Sequence, residues 1–229
     1  MSNNRPGLRR RAAGTPAGKD TPEQVVRRLL EVAGTTYAAE AGIRIDDKPM
    51  PLFQLLVLCM LASKPIDAAT AVRAARELFK AGLRTPKAVL ASDRPTMISA
   101  FGRAHYVRYD ESSATRLIEI AQRVRDEYSG DLRELARSSQ HDVAAATRKL
   151  KQFKGIGDTG ADIFLREIQD AWTWVRPYFD DRARAAAKWL GLPADPAKLG
   201  ALAPRANARL AAALVRASLD GDVLRRVAG

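Results

Sequence analysis

The chain has 229 residues, 46% of them hydrophobic and 28% charged, and carries a formal charge of +12. That apolar share is enough for a core and excludes wholesale disorder, while the positive balance points to polyanionic partners, nucleic acid first among them. One cysteine, Cys59, and two histidines, His105 and His141, exclude an internal disulfide, a cysteine-held zinc or iron–sulfur site and multi-histidine metal catalysis.

In chain order, residues 1–20 set Arg5, Arg9, Arg10, Arg11 and Lys19 among Gly, Pro, Ala and Asn, which predicts a disordered basic tail. The tail is either a solvated terminus or a source of extra phosphate contacts. It has no apolar stretch of the kind a secretory signal needs. Thr21-Pro22-Glu23-Gln24 is a capping box with Pro at the first helical position, and Gly34 is a stop for the helix it opens. Pro51 opens an apolar helix through Leu61, shorter than the ~18 residues of a membrane span. Cys59 within it reads as a buried thiol. Asp67 caps a helix closed by Gly82, Thr85-Pro86 starts a short one, and Ser92 to Pro95 opens the next. Ser112 and Ser113 lead into a helix ending near Gly130. Helices over 143–153, 160–172 and 180–190 follow, then two more within 196–229. No segment alternates in the manner of a strand. The pattern predicts an all-α chain of roughly nine to eleven helices with short loops. The expected compartment is the cytoplasm, or the nucleoid if the source is bacterial.

Chemistry concentrates in LKQFKGIGDTGADIFL, residues 150–165. Gly155 and Gly157 around Ile156 allow a tight turn between two helices, with Ile156 plugged into the core. The N–H groups of the turn and of the next helix then face outward, an arrangement that holds a phosphate without side-chain charge. Lys151 and Lys154 stand beside it and add electrostatic attraction. The same residues also describe a plain corner between two helices.

KGIGDTGA followed by YFDDRARAAAKWLGL resembles the helix-hairpin-helix and catalytic-aspartate region of the endonuclease III-like DNA glycosylase superfamily. Weaker similarity in LFQLLVLCMLASKPID and GRAHYVRYDESSATRLIEIA extends the resemblance over roughly residues 22–195. The resemblance implies two helical lobes flanking a DNA-binding cleft. The central lobe would be 50–169, with the hairpin at 146–165. The terminal lobe would combine 21–49 with 170–229. It also implies a protein that acts, as a monomer and away from membranes, on double-stranded DNA containing damaged or mismatched bases. Asp180 matches the family's aspartate, with Asp181 as its neighbouring alternative. Asp180 is equally a good helix cap. The implied DNA contacts are Lys151, Lys154, Gly155, Ile156, Gly157, Thr159, Gly160, Lys64 and Arg182.

Three positions depart from the family pattern. Thr159 replaces the lysine that forms a Schiff base in bifunctional members, which implies a monofunctional enzyme that breaks the N-glycosidic bond without cutting the strand. Lys64 stands where lyase-type members carry a glutamine that fills the gap left by the flipped base. Asp158 puts a negative charge into the hairpin. The four-cysteine cluster of many members is absent, so no cofactor is expected. A flipped base needs a pocket, and Tyr106 and Tyr109 either stack on it or pack under the hairpin. Trp172 and Trp174 read as packing between lobes. Against the glycosylase stand a DNA-binding or DNA-bending member without catalysis and an all-α interaction module whose charge serves solubility.

Overall fold

The computed structural model describes residues 20–228, so the basic tail assigned to 1–20 lies, apart from Asp20, outside the described residues. Those residues form fourteen α-helices and one 3-10 turn, with no strand among them. In order they are α1 Pro22–Ala33, α2 Tyr37–Glu40, α3 Pro49–Ala62, α4 Ala68–Lys80, α5 Pro86–Leu90, α6 Arg94–Arg103, α7 Asp110–Tyr128, α8 Arg133–Ser138, α9 Val143–Leu150, α10 Asp158–Ile168, α11 Asp181–Trp189, α12 Pro196–Ala201, α13 Asn207–Leu219 and α14 Gly221–Ala228. The 3-10 turn, Thr173–Val175, lies between α10 and α11. None of these helices is long and apolar enough to cross a membrane.

Local chemistry sets most boundaries. Thr21 and Gln24 cap each other reciprocally at the start of α1. The side chains of Asp67, Thr85, Asp93, Asp142, Asp180 and Asp195 each accept a first-turn N–H of the helix they precede. Ser129 and Gly130, both in the left-handed region, end α7. Helix α3 begins two residues before Pro51, and Ser112 and Ser113 fall inside α7 rather than ahead of it.

The helix count exceeds the expected nine to eleven, and two of the short elements, α2 and α14, draw on a distant or a shared cap. The N–H groups of Tyr37 and Ala38 in the four-residue α2 are satisfied by Glu167, more than a hundred residues away. Asp220 both ends α13 and accepts from Asp222 and Val223 at the start of α14, so one run of helical periodicity becomes two helices.

Buried apolar residues fall into two clusters. The larger runs from Tyr37 to Val175 around α3, a helix buried on every side from Pro51 to Leu61. Cys59 is buried within it, and burial pushes its thiol well above the usual range. The smaller cluster joins Val26, Leu29 and Ala33 of α1 to residues from Phe179 to Val227. The first and last described helices thus pack in the same cluster. The partition differs from the expected 49/50 and 169/170 boundaries: Tyr37, Ala38, Ala41 and Ile43 pack in the larger cluster, as do Trp172 and Val175. Helix α10 touches both α3 and α13 and so bridges the clusters.

Candidate functional site

Helix α9 ends at Leu150, and residues 151–157 turn the chain into α10. Gly155 has φ +91°, a conformation that disfavours any side chain, and a Cβ there would stand 3.2 Å from Cγ of Met60. Ile156 is buried and fixes the turn to the larger cluster. The N–H groups of Gly157, Asp158, Thr159 and Gly160 donate to no acceptor among the described residues, and Gly157 offers no side-chain cap. Gly160 has no room for a side chain, since its Cβ would lie 2.5 Å from Oγ of Ser63, itself bonded to the Cys59 carbonyl.

The charges beside this turn are less free than the sequence suggests. Lys151 is paired with Asp158, and Lys154 with Glu119 at 3.1 Å. Lys64, just past the end of α3, has no carboxylate partner among the described residues, and its ammonium stands 5.7 Å over the Tyr109 ring.

A groove of about 940 Å³ opens beside the turn. Its walls are α2, the end of α3, the start of α4, one face of α10, the start of α11 and the junction of α13 with α14. Thr159, Asp180, Asp181 and Arg182 all line it; Lys64 does not. Asp180 caps α11, its Oδ1 accepting from the Ala183 N–H at 2.9 Å, while its Oδ2 accepts from the Arg166 guanidinium. Both side chains of that ion pair are about 95% buried, at 4% and 5% exposure. The neighbouring Asp181 is fully exposed and lies 3.3 Å from Arg184.

Asp162, half-buried on the same wall, accepts from the Tyr178 hydroxyl at 2.5 Å. Burial pushes the Asp162 carboxyl above the usual carboxylate range, and the Tyr178 bond partly opposes this. Burial and Asp162 together raise the Tyr178 phenol. Six carboxylates and three arginines line the groove, so its walls are net acidic.

Tyr106 is not a pocket wall. Its ring is wholly buried against Phe101 and its hydroxyl meets the Leu61 carbonyl and Ser113, so no ring face is open to a base. Tyr109 is half-buried beneath Lys64 and Arg108 and does not line the groove either. Trp172 and Trp174 stack on each other in the larger cluster, with Trp172 donating to Asp47. Among the described residues no three His, Cys, Asp or Glu side chains gather as a metal set.

Sequence reasoning missed Asp162 and Arg166. Their signal was present: Thr159, Asp162 and Arg166 recur at spacings of three and four along α10, a polar stripe on a helix otherwise rich in Ile, Phe and Leu. Compared with family models, curated proteins and solved structures, the chain gives no match.

Proposed function

We propose that the chain is a base-excision protein of the helix-hairpin-helix kind: a monomeric, monofunctional DNA glycosylase acting on duplex DNA with a damaged or mismatched base. The observation that carries the reading is that Thr159, one of four successive residues whose N–H groups meet no acceptor among the described residues, lines the same groove as the helix-capping Asp180. In this reading the larger and smaller apolar clusters are the two lobes, and the groove between α10 and α11 is the cleft. The turn grips backbone phosphate through its N–H groups, and the flipped nucleotide enters the groove.

The reaction is hydrolysis. Water adds to C1′ of the sugar, the bond from C1′ to the base nitrogen breaks, and the base leaves with the proton that water gives up. The Asp180 carboxylate faces the positive charge that develops on the sugar. No lysine is among the residues lining the groove, and Thr159 cannot form an iminium, so no strand break accompanies base release.

A second reading, a DNA-binding relative without catalysis, is favoured by one observation. Arg166 already neutralises Asp180 and occupies one of its oxygens.

The test is a panel of labelled duplexes carrying uracil, alkylated purines, oxidised pyrimidines, 8-oxoguanine and mismatched adenine, each analysed with and without hot alkali. Strand breaks only after alkali support the glycosylase. Breaks without alkali would refute the monofunctional assignment. Salt-sensitive duplex binding with no break on any substrate would leave the non-catalytic reading standing.

A further inference from the structure

A second groove, of about 1470 Å³, lies at the other end of α3. The hairpin packs near Met60 and Ser63, whereas this groove is lined by Pro49, Met50, Pro51 and Gln54 of the same helix. At a rise of 1.5 Å per residue, Pro51 and Ala62 stand about 17 Å apart along the axis, so the two grooves are separate places.

Its charge is the reverse of the acidic groove. Seven lysines and arginines line it against one carboxylate, Asp46. Lys48 pairs with Asp46, Lys80 with Glu77 and Arg125 with Asp126. Arg44, Arg76, Arg84 and Lys87 have no carboxylate partner among the described residues, and all four are exposed. These cations come from three separated stretches of chain that line the one groove.

The floor is apolar. Met50 is 44% exposed, and Phe79, Leu90 and Pro86 lie around it. Gln54 is 7% exposed and lines the groove, and its side-chain amide bonds to no other described residue but is left open to solvent rather than buried without a partner. An amide that bonds to no protein group is free to pair with a ligand. A primary amide presents a donor and an acceptor side by side, the pattern that pairs with a base edge. Guanidinium planes and apolar side chains stack on base faces, while the cations between them meet phosphates.

From these features we infer that this groove binds a single strand of nucleic acid, with phosphates on Arg44, Arg76, Arg84 and Lys87 and a base edge on Gln54. The site is independent of the hairpin and of any glycosylase chemistry.

The test is fluorescence anisotropy on the full chain, with a short single-stranded oligonucleotide and a matching duplex, over a range of salt. The variant is R76A/K87A, which changes two exposed side chains that pair with no carboxylate. Single-strand affinity is expected to fall about tenfold, and the log–log salt slope to shrink by about 1.4, or 0.7 per cation removed. Duplex affinity changes much less. An unchanged single-strand affinity and slope would overturn the site, as would equal losses on both probes, since that marks general attraction to a basic surface. Photo-crosslinking with peptide mapping gives an independent reading. Adducts within 44–54 or 76–91 support the site, whereas adducts confined to 146–166 or the basic tail overturn it. Because the duplex panel reads base release and this experiment reads single-strand binding, the failure of one is distinguishable from the failure of the other.

Discussion

Arg166 of α10 and Asp180 at the head of α11 form a buried ion pair where the two apolar clusters meet. Two further bonds run beside it, Gln169 exchanging hydrogen bonds with the backbone N–H and carbonyl of Tyr178. The segment between α10 and α11 is therefore held by polar contacts at the edge of the larger cluster, and the position of α11 against α10 follows from them. The Arg166 Nε is buried without a partner, so the guanidinium depends on Asp180 for compensation. A buried ion pair is a weak source of net stability but a costly one to break.

That asymmetry separates two roles of Asp180. Asp180→Ala removes the cap and leaves a buried guanidinium unpaired, and it is expected to cost about 3–5 kcal/mol by denaturant unfolding. Asp180→Asn keeps a good cap and costs less, yet it abolishes base release if the carboxylate stabilises the sugar cation. Pairing Asp180→Asn with Arg166→Met removes the orphaned charge and should recover most of the lost stability. Catalysis must stay absent in the double variant. A folded double variant that still releases base would remove Asp180 from the mechanism.

Gly160 reports on how closely α10 approaches α3. A Cβ at this position meets Ser63 Oγ at 2.5 Å and Ile156 Cγ2 at 3.2 Å. Gly160→Ala is expected to cost about 1–3 kcal/mol through overpacking. Ser63→Ala removes the nearer atom, so the double variant should regain part of that loss. The check is the coupling in a double-mutant cycle; strict additivity would show that Ser63 is not the obstacle.

The helices that local signals define were legible in the sequence. Thr21 with Gln24, Asp67, Thr85 with Pro86 and Asp180 each announced a helix start that the structure contains. What stayed hidden depends on contacts far apart in the chain. Helix α2 has a local cap in Thr36, which accepts from Ala39, but the N–H groups of Tyr37 and Ala38 are met by Glu167, and no local pattern around Tyr37 encodes that. In the candidate site, Thr159, Asp180 and Arg182 do share a groove. The lysines beside the turn kept their places but not their freedom, because Asp158 and Glu119 hold them. Tyr106 went to the core, where only the position of Leu61 and Ser113 decides its hydroxyl's partners.

Glu167 makes stability depend on pH in a direction opposite to a surface carboxylate. Burial raises its carboxyl above the usual range, and the Arg166 charge and the N–H groups of Ala38 and Tyr37 only partly oppose that. In the native state it therefore holds its proton to higher pH than in the unfolded chain. Its contribution is fully present below the unfolded value and is lost as pH rises through the folded one. Glu167→Gln removes this titration. The stability of the native protein relative to the variant should fall as pH rises above ~4.3, the ordinary glutamate value. Denaturant melts of both proteins across pH 4–7 check it, and a flat difference would show that Glu167 does not titrate differently on folding.

Asp158 tests whether the turn after α9 meets phosphate at all. Its carboxylate sits at the first position of α10, where it complements the helix dipole, and it also holds Lys151. Being 83% exposed, it contributes little to stability through that pair. Asp158→Asn leaves the backbone N–H groups in place, takes away a negative charge and frees Lys151. If a phosphate lies against Gly157 and Gly160, duplex affinity should rise several-fold. The log–log salt slope should steepen by about 0.9, the value for one more neutralised phosphate on a duplex. Anisotropy titrations at several salt concentrations give both quantities. Were the turn only a structural corner, the same substitution would alter both by no more than an acid-to-amide change away from both grooves, for which Glu134→Gln on α8, paired with Arg137, is the control.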